Sequence, residues 1–465
     1  MRDNCVSIAG VMHGVKRIHF VGIGGCGMSG IAKILHLQGY VVSGSDQCAS
    51  DRTRLLSTQG MTVYLGHNKA HCHDKDLVVI SSAIDQTNPE VVFAIKAGIP
   101  VIKRGLMLAY LMQSHQGIAI AGTHGKTTTT SMIVHLLKIA NLNPSYVIGG
   151  KLKNCVDGAD LGTGRYFIAE ADESDASFLH LHPQIACLTN IDIDHIENYQ
   201  SDFSQLTAAF LSFLRNLPED GLVVYNFDDP KLRALCKTLH CQSLSFGFHP
   251  DADVSIKAVN NAGSTSRFLV QMGTQTEPFS VTLPLPGKHN VQNALCAVAL
   301  ASFLGIAQSG IQTALASFPG TQRRFDSSLM RLYNKEITLI DDYGHHPRAI
   351  DATLSAIRVS YPKQRIVLIF EPHRYTRTRA LFSAFVEVLS TVDKLLLLPI
   401  YGASEAPIEG ITSQALANDM TGVDIEMFND FTAVKQALMT SLKAGDVLVI
   451  QGAGSIGQLK QELLG

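Results

Sequence analysis

Residues 119–130 read AIAGTHGKTTTT. An apolar, strand-like run ends at Gly122, and Gly125, Lys126 and four threonines then open a helix-like run. The Gly122-x-x-Gly125-Lys126-Thr127 spacing is two residues shorter than the usual phosphate loop. Backbone N–H groups of Gly122, Thr123, His124 and Gly125 can still cradle phosphates at a helix N-terminus. Lys126 can neutralise β/γ oxygens, while the hydroxyls of Thr127 and Thr128 can face a metal or phosphate. Threonine is a weak helix former, so four in a row call for a reason beyond local helix propensity.

Two other glycine turns compete for the role of nucleotide site. GAGSIG at 452–457 leaves only eight residues after Gly457, too few for another strand of a βαβ unit, so it reads as a strand-to-helix turn. GIGGCG at 22–27 follows a strand, opens a helix and has Asp46 19 residues after Gly27. Gly22, Gly24, Gly25 and Gly27 let backbone approach a pyrophosphate, and Asp46 can grip ribose hydroxyls. That pattern fits NAD and fits any nucleoside diphosphate, so an NAD-dependent oxidoreductase stands as one alternative.

At 465 residues the chain has room for about three domains. Hydrophobic content of 46%, charged content of 17% and net charge -2 indicate globular α/β packing. They offer no polyelectrolyte surface for nucleic acid or membrane. No apolar stretch reaches membrane-spanning length, and the N-terminus is a poor signal peptide. Nine scattered cysteines without a CxxC pair read as reduced thiols of a cytoplasmic protein. HCHD at 71–74 reads as a polar loop, since no second cluster at ligand spacing accompanies it.

Strand-like and helix-like runs alternate through 1–115, giving a mostly parallel sheet. A second unit, 116–321, begins with the strand GIAIAGT, and its runs between 243 and 283 read as short antiparallel strands. A third, 322–465, repeats the alternation. The expected fold is therefore α/β in three domains: Rossmann-like, P-loop ATPase-type, and Rossmann-like again. Carboxylates for a metal follow two strands of the central unit. IAEADESDASF supplies Glu170, Asp172 and Glu173, and TNIDIDHIENY supplies Asp192, Asp194, His195 and Glu197. A solvated loop residue is the ordinary reading of each acid alone; two clusters at neighbouring strand ends favour a metal site.

The set GTHGKTTTT, EADESDASF, TNIDIDH, GKHNVQNALCAVAL, RRFD, DDYGHHP, EPHRYTRTR and QGAGSIG, in this order, resembles the Mur ligases along essentially the whole chain. The pattern is most similar to the branch adding L-alanine to UDP-N-acetylmuramate. By that resemblance GIGGCG handles the UDP of the sugar, with Asp46, His67, Arg104 and the Ser81-Ser82 turn, and GTHGKT handles ATP. Thr127, Glu170 and His195 match the family's magnesium ligands. Asn290 and Asn293 match its adenine contacts, Arg324 the γ-phosphate contact and Asp342 the ribose contact. Tyr343, His345, His346, His373, Arg374 and Arg377 match the region holding the amino acid and acyl intermediate. The resemblance further implies a third domain that closes over ATP and the amino acid, in a monomer or weak homodimer. No lysine occurs between Lys153 and Lys231, so the carbamylated lysine of several sibling ligases is lacking. A ligase adding a ready-made peptide and a noncatalytic ATP-gated switch are the remaining alternatives.

Overall fold

The computed structural model describes residues 8–153, 155, 158–192, 199, 202–273 and 277–464. Two compact units divide the chain. The first comprises Met1–Ala258, Leu269–Val281 and Gln292–Phe318; the second comprises Val259–Phe268, Thr282–Val291 and Pro319–Gly465.

The first unit opens with a five-stranded sheet in the order Thr62–Leu65, Val41–Asp46, Arg17–Val21, Leu77–Ile80, Val101–Lys103. Every pairing in it is parallel. The central strand RIHFV is buried beyond its first residue, as expected of a parallel strand covered on both faces. Local sequence places the crossover helices. Ser50 caps Asp51–Thr58 in a reciprocal capping box with Thr53. Asn88 caps Pro89–Lys96, where proline at the helix start lacks an N–H that would have no helical partner.

A larger sheet of ten strands follows. Strand Gln116–Ala121 lies between Ile185–Leu188 and Tyr166–Glu170, parallel to both. This arrangement carries the phosphate loop to the same edge as the two acid-bearing strand ends. Ile118 and Ile120 are fully buried, and truncating either to alanine is worth about 2–5 kcal/mol. The run SLSFGF departs from the antiparallel expectation. It lies in strand Gln242–Gly247, which pairs in parallel with Leu222–Asn226. The intervening helix Pro230–Cys236 supplies the crossover a parallel pair requires.

The second unit carries a six-stranded sheet in the order Asp326–Leu332, Lys335–Asp342, Val447–Gln451, Ile366–Phe370, Lys394–Leu397, Asp424–Met427. Five of these fall on the apolar runs ITLIDDY, RIVLIFEP, KLLLLPIY, VDIEMF and DVLVIQGAG of the third alternating segment. The extra edge strand, Asp326–Leu332, pairs antiparallel with Lys335–Asp342 through a two-residue turn. Tyr333 and Asn334 both have positive φ there, the geometry that suits the twist of a hairpin. The GAGSIG segment is the turn expected, leading from Val447–Gln451 into the short helices Ser455–Gln458 and Leu459–Leu464. The eight described cysteines are free, and among the described residues no helix is long and apolar enough to cross a membrane.

Candidate active site

Helix Lys126–Ile139 starts from Gly125, whose φ of 83° is left-handed. A side chain at Gly125 would meet Asn293 Oδ1 at 2.5 Å, so glycine is required by backbone conformation and by space. Asn293 therefore stands against the loop, where the resemblance placed an adenine contact. The loop is tied to the neighbouring strand end. Thr123 N donates to Asn190 O (3.1 Å) and His124 N to Asn190 Oδ1 (2.9 Å). Thr189 Oγ1 and Asn190 Nδ2 both donate to His124 O, and the His124 ring lies 3.1 Å from Asp192 Oδ2. Sequence reading overlooked Thr189 and Asn190; their position directly after a buried strand beside the loop was the available signal.

Lys126 Nζ donates to Gly122 O at 2.7 Å and to Glu173 Oε2 at 2.6 Å. Burial works against the Lys126 charge, but Glu173, Asp172 and Glu170 outweigh it and raise its pKa, so it stays protonated. Burial pushes Glu173 up to about 7 despite the opposing pull of Lys126. Glu173 and Asp192 are 1% and 4% exposed. The solvated-loop reading fails for these two acids because each is held by a cationic or imidazole partner of the phosphate loop.

Thr127 Oγ1 donates to Glu170 Oε2 at 3.1 Å, and Glu170 Oε1 accepts from Gly149 N at 2.7 Å. A hydroxyl and a carboxylate in contact form an all-oxygen pair, which fits a hard cation such as magnesium. His195, Asp194 and Glu197 lie outside the described residues. Thr128, Thr129 and Thr130 are buried in the helix, and Thr130 Oγ1 turns back to Lys126 O. Only Thr127 of the four therefore faces a carboxylate in a described contact.

The first glycine loop sits against the strand end as the sequence implied. Gly22, with φ of 81°, donates to Ser45 O, and Gly24 N donates to Asp46 Oδ2 at 2.8 Å. Gly25 starts helix Cys26–Leu37. Ser81 Oγ lies within reach of a side chain built at Gly22, and Ser82 is exposed beside it. Arg104 lies on Gly27, 2.7 Å from where a Cβ would stand. Its guanidinium reaches Asp175 (3.2 Å), Asp172 (3.5 Å) and Ser177 (3.3 Å). The acidic strand end beside the phosphate loop thus also grips the arginine of the first glycine loop. His67 Nδ1 contacts Ser45 Oγ (2.9 Å) and Glu90 Oε2 (3.2 Å). Burial opposes the Glu90 charge, but the nearby His19 ring, the Ser45 hydroxyl and His71 hold its pKa down at about 2.

In the second unit, Asp342 is committed to two backbone N–H groups and a side-chain amide. It accepts from Phe325 N (2.8 Å), Gly344 N (2.7 Å) and Gln451 Nε2 (3.2 Å). Arg324 lies over the Tyr343 ring at 4.9 Å, while Arg323 pairs with Asp341 at 3.0 Å. Tyr343, His345, His373 and Tyr401 form a chain of ring contacts at 5.4, 5.5 and 5.6 Å. Arg377, 4% exposed, contacts His373 Nδ1 at 3.3 Å. Arg374 has φ of 73°, a strained conformation for a side-chain-bearing residue and one that clusters at functional sites. His346 caps helix Pro347–Ser360, accepting from Arg348 N. Asn290 Nδ2 donates to Pro286 O at 2.8 Å. Tyr343, His345, His373, Arg374 and Arg377 thus lie together in one region, whereas the Asn290 and Asp342 side chains are engaged by neighbouring protein groups.

A phosphate loop at the C-terminal edge of a parallel sheet, with a lysine and an oxygen pair at its mouth, marks an enzyme that handles a nucleoside triphosphate. Three family profiles match in succession: Mur ligase family, catalytic domain over 17–116; Mur ligase middle domain over 120–301; and Mur ligase, glutamate ligase domain over 323–454. The UDP-N-acetylmuramate–L-alanine ligase of Psychrobacter cryohalolentis is 46% identical over 455 residues, covering 97% of this chain and 95% of that one. The crystal structure of the UDP-N-acetylmuramate–alanine ligase of Thermotoga maritima matches with a TM-score of 0.83 at 27% identity, over 96% of this chain and 98% of that one. A murein peptide ligase of Psychrobacter arcticus matches with a TM-score of 0.76 at 25% identity, over 97% and 98% of the two chains. The chain belongs to the Mur ligase family, whose members are ATP-dependent enzymes of peptidoglycan precursor synthesis. Membership displaces the oxidoreductase and noncatalytic-switch alternatives.

Proposed function

We propose that this protein joins L-alanine to the lactyl carboxylate of UDP-N-acetylmuramate, converting ATP to ADP and phosphate. The similarity that carries the choice is 46% identity over 97% of the chain with an L-alanine ligase, supported by a TM-score of 0.83 to an alanine ligase against 0.76 to a murein peptide ligase. In this reading residues 1–115 hold the UDP-sugar, 116–321 hold ATP, and 322–465 close over ATP and the amino acid.

A carboxylate repels an incoming amine and has no adequate leaving group. Transfer of the γ-phosphoryl group to a carboxylate oxygen breaks the bond to ADP and makes an acyl phosphate. The alanine nitrogen then attacks the acyl carbon, and the tetrahedral oxyanion collapses with loss of phosphate. The ammonium proton passes to a base, for which His345, His346 and His373 are candidates. Such a sequence needs positioning and charge neutralisation more than covalent help from the protein. Lys126 and Arg324 would neutralise the phosphoryl group in flight, and the backbone of Gly122–Thr127 would cradle it. Thr127 and Glu170, with His195 by family resemblance, would hold Mg2+, which supplies charge neutralisation at the phosphate oxygens. Arg374 and Arg377 would hold the carboxylates of the amino acid and the acyl group.

The test is ADP and phosphate release with UDP-N-acetylmuramate across free amino acids and peptides. Release with L-alanine supports the reading; release with a peptide and no free amino acid overturns it in favour of the peptide-adding branch.

A further inference from the structure

The HCHD run reads as a polar loop, yet folding carries its first histidine to partners far away in sequence. His71 in the turn Lys69–Cys72, His19 in strand Arg17–Val21 and Glu90 in the first turn of Pro89–Lys96 each offer one ligand atom, all within 4.8 Å of one another. His19 Nε2 lies 3.5 Å from Glu90 Oε1, and His71 Nδ1 lies 2.6 Å from the same oxygen. His19 and Glu90 are 0% exposed, while the His71 side chain keeps 17% exposure. His19 Nε2 has no hydrogen-bond partner. Leaving a buried polar atom unpaired is costly, so its orientation toward the cluster calls for an occupant.

Both rings are fixed from outside the cluster. His19 Nδ1 is 3.0 Å from Ser43 Oγ, which can accept its proton and leave the Nε2 lone pair facing inward. His71 stacks on Tyr64 with centroids 3.9 Å apart and an interplanar angle of 6°. Two imidazole nitrogens and one carboxylate are a donor set for a borderline divalent transition ion; magnesium and calcium prefer oxygen alone. At zinc bond lengths of about 2.0–2.2 Å, tetrahedral ligand atoms stand about 3.3 Å apart, close to the His19–Glu90 separation. The His71–Glu90 contact must open by roughly 0.7 Å to reach that spacing.

We propose that His19 Nε2, His71 Nδ1 and the Glu90 carboxylate form a site for a divalent transition-metal ion of the zinc type, separate from the oxygen pair at the phosphate loop. Binding replaces the proton held between His71 Nδ1 and Glu90 Oε1, which leaves to solvent past the part-exposed His71 ring. The ion would fasten the 67–72 segment to the central strand and the helix start, beside His67. Sequence spacing could not reveal this set, because His19 and Glu90 lie 52 and 19 residues from His71.

The test uses the full-length chain, stripped of metal by a chelator and titrated with Co2+ in excess Mg2+ so that the oxygen site is filled. The expected result is one tight equivalent with the intense visible bands of a four- or five-coordinate nitrogen-oxygen set, displaced by Zn2+. His71→Ala, at a part-exposed position, is expected to weaken binding by at least about tenfold, with the Mg2+-supported melting curve checking that the variant is folded. His19→Gln, checked for folding by the same melt, is expected to do likewise. Zn2+ should raise the melting temperature of the wild type and not of His71→Ala. Only the weak bands of an octahedral oxygen site, or wild-type bands persisting in His71→Ala, would overturn the proposal.

Discussion

The ammonium of Lys126 lies 2.6 Å from Glu173 Oε2, inside the mouth of the phosphate loop. The lysine offered to phosphate is thus already held by a carboxylate that is itself 1% exposed. A bound triphosphate must compete with Glu173 for the same charge.

Lys126→Ala is expected to fold and to lose about 10²–10³ in turnover, the usual cost of removing one preorganised donor to developing charge. Steady-state ADP release with a parallel thermal melt checks this. Near-wild-type turnover at unchanged stability would remove Lys126 from the phosphoryl-transfer step.

Glu173 gives a pH dependence whose sign follows from its raised pKa, about 7 against an ordinary 4.5. Below about 7 the carboxyl is protonated and holds Lys126 less strongly; above it the full ion pair competes with phosphate. ATP affinity should therefore fall as pH rises from about 6 to about 8, and Glu173→Gln should flatten that profile. The same raised pKa means the folded state binds the proton more tightly, so Glu173 lowers stability as pH climbs from about 4.5 through about 7. Calorimetric ATP titrations across pH test the affinity; identical slopes in wild type and Glu173→Gln would contradict it.

Glu170→Gln keeps the side-chain volume while removing the negative charge facing Thr127. The Mg2+ concentration giving half-maximal activity should rise about tenfold or more, a loss of at least 1.4 kcal/mol in binding. An unchanged Mg2+ titration would shift the ligand role to another acid of the 170–175 segment.

Asp342→Ala should act on stability before it acts on nucleotide binding. It deletes a buried acceptor of two backbone N–H groups and one amide, and stranding such donors costs about 1–3 kcal/mol each. Urea unfolding should report a loss of roughly 3 kcal/mol or more. Wild-type stability with only a raised KM for ATP would restore the plain ribose-contact role.

Gly125→Ala tests the loop geometry. Its φ of 83° and the 2.5 Å approach of Asn293 Oδ1 leave no place for a methyl group. ATP affinity should drop by about tenfold or more, with about 1 kcal/mol or more lost in stability. Retained affinity would mean that the helix start relaxes without disturbing the phosphate cradle.

The alternation of apolar runs and helical runs made the parallel sheets legible, and the GTHGKT spacing located the phosphate loop. What stayed hidden depends on partners remote in sequence. Nothing local marks Glu173, 47 residues from Lys126, as the acid that takes the ammonium. The donors that occupy Asp342, Phe325 N and Gly344 N, come within reach only after the turn forms. The direction of the strand at 242–247 is not legible from its own residues, because short β-rich runs carry no direction; the helix at 230–236 before it is the deciding clue. The edge strand at 326–332 lacked a clean alternation, since much of it is exposed.

Arg104 has a consequence for the order in which ligands act on each other. One guanidinium rests on the first glycine loop and also neutralises Asp172 and Asp175, whose segment contains the lysine's partner Glu173. An anion that draws Arg104 toward Gly27 leaves those carboxylates less compensated and strengthens the negative field around Lys126. By thermodynamic reciprocity, whatever occupancy of one loop does to affinity at the other is returned in equal measure. The two glycine loops are therefore not independent of each other: a single arginine rests on one and balances the acids beside the other.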